Sequence, residues 1–127
     1  MCDINRFYIC EFCGNVIDMI HDAGVPIMCC GEEMTMLEPH TKDGGQEKHT
    51  PVVCVEDNIV YVSVGSAHHP MEEAHSIQWV YLQTDKGGHR KRLEIGKDPT
   101  VRFSIVDEKP LAVYAYCNQH GLWKTDI

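Results

Sequence analysis

From Thr50 onward the chain alternates apolar and polar residues in short runs. The runs are Val52–Val55, Ile59–Val64, Ile77–Leu82, Arg92–Ile95, Val101–Val106 and Leu111–Cys117. Turn-forming residues divide them: Asp57-Asn58, His69-Pro70, Lys86-Gly87-Gly88, Lys97-Asp98-Pro99 and Lys109-Pro110. A period of two predicts strands with one buried face. Six or seven such strands, spaced by roughly 8–18 residues, predict an antiparallel sandwich of immunoglobulin type. Helix content is expected to be low, with one turn at most over Met71–Ala74.

The same alternation places individual side chains. Leu111, Val113, Ala115 and Cys117 share the inward register, so the sulfur of Cys117 points into the protein, where a bare thiolate is costly. His120 follows three residues later, in a turn closed by Gly121. Ile77, Trp79 and Tyr81 are expected to form a core-facing row with His75 at its mouth. His49 leads into the Val52 run past Thr50 and Pro51.

The first 38 residues read differently. Phe7, Tyr8 and Ile9 form one short strand leading into Cys10-Glu11-Phe12-Cys13-Gly14-Asn15, and Cys29-Cys30-Gly31 follows sixteen residues later. Glu38 to Gly45 is polar, with a proline and paired glycines, so a boundary is expected there. This gives domains at 1–38 and 39–127. Charge separates them too. Residues 1–38 hold one base and seven acids, net −6, and residues 39–127 hold ten bases and twelve acids, net −2.

Composition narrows the classes of function. The chain has 127 residues, 43% hydrophobic and 24% charged, which suits packed domains rather than disorder. A formal charge of −8 argues against general nucleic-acid binding. No apolar run approaches the roughly 20 residues of a membrane span. No basic segment leads into an apolar one near Met1, so no signal peptide is expected. Seven cysteines without a secretory signal favour metal ligation over a disulfide framework.

Cys10, Cys13, Cys29 and Cys30 pair at each end of a short loop and suit a tetrahedral metal site of four thiolates. About 37 residues bury too little surface to fold well alone, so a metal staple makes physical sense. Two disulfides are the alternative. Adjacent cysteines restrict the directions of their sulfurs, so a distorted tetrahedron is expected. Of the eight histidines, His21, His40 and His89 stand apart from other signals. His49, the adjacent pair His68 and His69, and His75 each lie near a strand end, where the loops of a sandwich cluster. Adjacent residues face opposite ways, so only one of the pair is expected to meet an ion shared with Cys117 and His120. Cys54 reads as a small apolar strand residue and Cys2 as an exposed thiol.

These motifs together resemble one family. Cys10-x-x-Cys13 with Cys29-Cys30, Glu47-Lys48-His49, His69-Pro70-Met71-Glu72-Glu73-x-His75 and Cys117-Asn118-x-His120-Gly121-Leu122-Trp123 look like desulfoferrodoxin, the two-iron form of superoxide reductase. The resemblance covers nearly the whole chain. It implies a desulforedoxin-like domain holding an FeCys4 centre on Cys10, Cys13, Cys29 and Cys30. It also implies an immunoglobulin-like domain whose second iron has equatorial His49, His69, His75 and His120 and axial Cys117. His68 stands where relatives often carry a small apolar residue, and the His-Pro-Met context assigns the role to His69.

The implied reaction is one-electron reduction of superoxide to hydrogen peroxide at ferrous iron with an open sixth position, without dioxygen formation. Lys48 would steer the anion and help supply protons through water. Glu47 resembles the residue that occupies the sixth position in the resting ferric state. The resemblance further implies reduction by rubredoxin or a similar carrier, a cytoplasmic location and a homodimer. Two other readings of the residues are a non-catalytic electron carrier with a six-coordinate second iron, and a zinc-stabilised binding module.

Overall fold

A computed structural model describes residues 6–41, 49–65 and 69–127. It is all-β, with no helix among the described residues. The chain divides into two units, Met1–Glu38 and Pro39–Ile127.

In the first unit, β1 (Arg6–Ile9), β2 (Val16–Met19) and β5 (Thr35–Met36) form an antiparallel sheet in the order β2-β1-β5. β3 (Met28–Cys29) and β4 (Glu32–Glu33) pair as a separate small hairpin. Only β1 is legible in the sequence. β2 is half-buried along its whole length and so lacks a period of two, and strands of two residues are too short to carry one. Among the described residues few side chains here are buried: Phe7, Cys10 and Met34. So small a core leaves much of the fold to be held by other means.

Among the described residues the second unit has seven strands in two sheets. β6 (Pro51–Glu56), β7 (Ile59–Val64) and β10 (Thr100–Ser104) run in the order β10-β7-β6. β8 (Ile77–Thr84), β9 (Gly87–Arg92), β11 (Pro110–Cys117) and β12 (Gly121–Asp126) run in the order β12-β11-β8-β9. All pairings are antiparallel. Val60, Val62 and Val64 on β7 meet Val80, Leu82, Val113, Ala115 and Cys117 from the other sheet, with Phe103, Ile105, Met71 and Ile77 closing the core. The inward register read for Val113, Ala115 and Cys117 is the one observed.

Four local readings need correction. The row Ile77, Trp79, Tyr81 does not face one way. Between the pairs Tyr116↔Trp79 and Cys117↔Ile77 the register shifts by a residue, and a bulge of this kind reverses the facing of everything beyond it. Ile77, Val80 and Leu82 therefore enter the core, while Trp79 stacks on Tyr116 at 5.4 Å and Tyr81 meets Tyr114 at 6.1 Å. The second correction is β9, which spans Gly87–Arg92 and not the run Arg92–Ile95, because the hairpin turns at Asp85-Lys86. Gly88 then lies within the strand, where a Cβ would collide with the Tyr81 hydroxyl. Third, β12 follows the Gly121 turn, whereas no strand was read there, because Leu122 and Trp123 are both buried and do not alternate. Fourth, Met71–Ala74 makes no helical turn. The Glu72 amide donates to the His75 carbonyl at 2.9 Å and the His75 amide to the Glu72 carbonyl at 3.1 Å, closing a tight non-helical turn.

Candidate metal centres

The first unit gathers Cys10, Cys13, Cys29 and Cys30. The Cys10–Asn15 turn is closed by two backbone bonds of 2.8 Å, Cys10 amide to Asn15 carbonyl and Gly14 amide to Cys10 carbonyl. Gly14 has φ +84°, which suits a residue without a side chain. At the other end Cys30 adopts φ +55°, a left-handed conformation uncommon outside glycine. That turn swings the second of two adjacent side chains back toward its neighbours. The sulfurs of Cys29 and Cys30 lie 4.0 Å apart and those of Cys13 and Cys29 3.7 Å apart. An ion about 2.3 Å from each of four sulfurs would set them about 3.8 Å apart, so the cluster fits a thiolate-held metal. These are two of the six edges of the tetrahedron, and the left-handed Cys30 backbone is part of how two adjacent cysteines reach one cluster.

The thiols are unequal before any metal arrives. The Cys13 amide, 3.5 Å from the Cys10 sulfur, leads the interactions that bring the Cys10 pKa down to about 6. That of Cys30 is pushed up to about 12, first by its contact with the Cys13 sulfur and then by those with Cys10 and Cys29. Four sulfurs in one cluster cannot all ionise without a cation to share the charge.

The second unit gathers His49, His69, His75, Cys117 and His120, with one donor atom of each within 4.8 Å of the others. Four chain segments supply them: the approach to β6, the two ends of the 69–75 turn, the last residue of β11, and the turn between β11 and β12. The imidazoles close a four-membered ring of rings. Centroids are 4.7 Å apart for His49–His69, 4.9 Å for His69–His75, 5.0 Å for His75–His120 and 4.8 Å for His120–His49, every pair edge-to-face. The Cys117 sulfur is 3.7 Å from His120 Nδ1. Cys117 is fully buried and His120 is exposed, so this group reaches solvent on its imidazole side.

Hydrogen bonds fix which nitrogens face inward. His69 Nδ1 donates to the Pro70 carbonyl at 2.7 Å, which leaves Nε2 with its lone pair. Among the described residues, His69 Nε2 and His75 Nε2 are buried and without a hydrogen-bond partner. Two orphaned imidazole nitrogens beside a buried thiol are costly unless a cation takes them up. The donor set therefore fits a metal. Burial brings the His69 pKa down to about 4, so the ring stays neutral and ready to coordinate. Burial also pushes the Cys117 thiol up, against the Gln119 and His120 amides, which favour the thiolate.

Asn118 and Gln119 tie two of the segments together. The Ser76 amide donates to Asn118 Oδ1 at 3.0 Å, and Asn118 Nδ2 and Gln119 Nε2 donate to the Ala74 carbonyl at 3.0 and 2.8 Å. His75 is thereby held beside Cys117 and His120. Residue-type reasoning did not single out Asn118, although a side-chain amide at a strand end is a turn-forming signal. It also gave no role to His40, which bridges to Trp123, or to His89, which contacts Glu108 at 2.9 Å. Glu47, Lys48, His68 and Cys2 lie outside the described residues. Cys54 is exposed, not a buried apolar residue, because it sits on the outer face of edge strand β6.

Known proteins share both units. The family model Desulfoferrodoxin, N-terminal domain, matches residues 3–37, and the model Desulfoferrodoxin matches residues 41–126. A desulfoferrodoxin homolog of Archaeoglobus fulgidus is 42% identical over 125 residues, 98% of this chain and 99% of its own. The desulfoferrodoxin of Nitratidesulfovibrio vulgaris is 42% identical over 121 residues, 95% of each chain. Among solved structures, the superoxide reductase from Treponema pallidum superposes with a TM-score of 0.82 at 35% identity, covering 96% of this chain and 98% of that one. With both units and both donor clusters inside the matched spans, the chain belongs to the desulfoferrodoxin family.

Proposed function

We propose that the protein is a superoxide reductase that works at the second group, with iron held by His49, His69, His75, His120 and Cys117. The observation that carries this reading is the closed ring of four imidazoles beside a buried thiol. Five protein donors suit an ion of six-coordinate preference, while zinc prefers four. Ferrous iron in that site supplies the single electron that, with two protons, converts superoxide to hydrogen peroxide.

The chain's own groups set the conditions. Four neutral imidazoles and one thiolate leave a net charge of about +1 with Fe2+, and such a bound cation dominates its local field. A small anion is drawn to that charge even though the chain as a whole is at −8, because distant surface charges are screened beyond about 8 Å at physiological salt. The Pro70 carbonyl fixes the His69 tautomer. The Gln119 and His120 amides hold the Cys117 thiolate and temper its electron donation. Lys48, next to His49 in the chain, adds a cation that captures superoxide and passes protons through water. Glu47, two residues before His49 in the chain, would offer the resting oxidised iron a carboxylate that a small anion can displace.

The four cysteines of the first unit hold the other iron, which stabilises the fold or relays electrons. The electron donor is rubredoxin or a similar small carrier, the location is the cytoplasm and the assembly is a homodimer. No helix among the described residues is long and apolar enough to cross a membrane.

Metal analysis and a visible spectrum of the oxidised protein, followed by pulse radiolysis, test the proposal. Two irons per chain, a thiolate-to-iron band lost in Cys117→Ser, and peroxide formed without dioxygen are expected. A colourless protein holding only zinc after iron-replete expression would overturn it. So would a ferric centre that binds neither cyanide nor azide even in excess, because a position held only by a displaceable carboxylate must accept a stronger anion.

A further inference from the structure

The Trp123 indole touches the second group at two places without offering it a donor atom. Its ring stacks on His49, with centroids 4.7 Å apart and planes within 16°. Its Nε1–H donates to the carbonyl of His120 at 3.1 Å. His49 and His120 are neighbours in the ring of imidazoles, with His49 Nε2 and His120 Nδ1 only 3.1 Å apart. One side chain therefore braces the ring of one donor and the backbone of the next.

The brace is itself fixed. Trp123 sits on β12 opposite Ala115 of β11, in the register that also pairs Gly121 with Cys117. It is buried to 9% exposure. His40, nine positions before His49, is pinned to the same strand. The His40 amide donates to the Leu122 carbonyl at 2.9 Å, the Lys124 amide donates to the His40 carbonyl at 2.8 Å, and the His40 ring lies 4.8 Å from the indole. Both His40 and His49 thus rest on one indole.

We propose that Trp123 is a positioning residue for the second metal centre, setting the rotation of the His49 imidazole and the height of the His120 backbone, with His40 holding the indole in place. The physical reason is a rotation that ligation through one atom leaves open. An imidazole bound through one nitrogen can still turn about the metal–nitrogen axis, and an outside contact must choose the angle. For His69 that contact is the Pro70 carbonyl. For His49 the stacked indole plane is one such contact. Turning about that axis would change the overlap of the ring's π orbitals with the metal and so the spectrum. Tilting off it would misdirect the lone pair and so weaken affinity. A plane stacked on the ring resists both.

This inference rests on the reading that the second group binds iron, and the test separates the two. Purified full-length protein is loaded with Fe2+, and iron release to a chelator is followed together with the visible band of the oxidised form. Trp123→Leu should weaken iron binding at the second group by about 10- to 100-fold, as loss of an outer partner commonly does, and should move the band. Trp123→Phe keeps a ring against His49 but loses the N–H, so its loss should be smaller, with a band nearer that of the parent. His40→Ala should loosen iron by a few-fold only. The four-cysteine centre serves as an internal control whose iron should stay. If the parent holds no second iron, the functional reading fails. If the parent holds it and both Trp123→Phe and His40→Ala match it in release rate and band, the positioning role is refuted, even should Trp123→Leu fail to fold. A merely structural tryptophan would lower the melting temperature and leave the band of the folded fraction where it was.

Discussion

His49 Nε2 and His120 Nδ1 lie 3.1 Å apart although 71 positions separate them along the chain. Both nitrogens carry lone pairs in the neutral imidazole, unless one is protonated to bridge to the other. Two ligands at right angles on one ion, each about 2.1 Å from it, would stand about 3.0 Å apart. The separation is therefore as well explained by a shared metal as by a hydrogen bond, and removing metal should force this pair to choose. The orphaned nitrogens of His69 and His75 have no such choice, which makes the second group most sensitive on their side.

That sensitivity separates His69 from its neighbour. His69→Ala removes a fully buried donor and should weaken iron at the second group by tenfold or more or change its band, by analogy with the 10- to 100-fold losses seen for outer partners alone. His68→Ala should retain that iron. Metal analysis of the two variants after gel filtration checks this, and the reverse pattern would move the donor by one residue.

The cluster of four cysteines should be separable from catalysis. Cys30→Ser replaces one of four sulfurs in the first unit, and it should disturb only that unit's iron. Superoxide reduction by chemically reduced protein should stay within about twofold, since no donor of the second group lies in residues 1–38. Loss of both irons in the variant would show that the units depend on each other.

Lys48→Ile should lower the second-order rate with superoxide by about tenfold, at the low end of the range for focused electrostatic capture. It makes no bond to iron, so the visible spectrum should persist. The variant's rate should also fall less with added salt, or rise, because the remaining field is that of a chain at −8. Pulse radiolysis at several ionic strengths decides it. An unchanged rate with an unchanged salt slope would remove Lys48 from the mechanism.

Acid should destabilise the metal-free protein through His69. Its folded pKa of about 4 lies below the ordinary 6.5, because burial disfavours the charged ring. Between those values the unfolded chain binds a proton that the folded chain refuses, so stability rises with pH across the window and is lost as pH falls through it. One proton gives a slope of at most about 1.4 kcal/mol per pH unit. Urea unfolding of metal-free parent and His69→Gln between pH 7 and pH 4 reads this directly. The variant should fall less steeply, and equal slopes would place the titration on another group.

How much of this was readable beforehand differs by element. Strands β6, β7 and β10 announced themselves because each exposes one face, and a half-buried strand writes its geometry into every second residue. β11 is buried on both faces from Ala112 to Cys117 and was legible only through the small and apolar residues at every second position. β12 was not, because Leu122 and Trp123 are both buried. In β8 the alternation was real but misled, since one bulge beside Cys117 turned Trp79 and Tyr81 away from the face that holds Ile77.

The sequence by itself determined the chemistry available. Cysteines paired at the ends of a short loop, and histidines gathered at strand ends beside an inward-facing cysteine, name soft and imidazole donors whatever the fold. Their motifs sufficed to suggest the family. Only the tertiary structure decided the order of the imidazoles around their ring, the left-handed turn that brings Cys30 beside Cys29, and the contacts of His69 and His49 with the Pro70 carbonyl and the Trp123 indole. Spacing along a chain constrains partners a few residues apart. The angle between two rings 71 positions apart is set by how two sheets pack, and no local pattern encodes it.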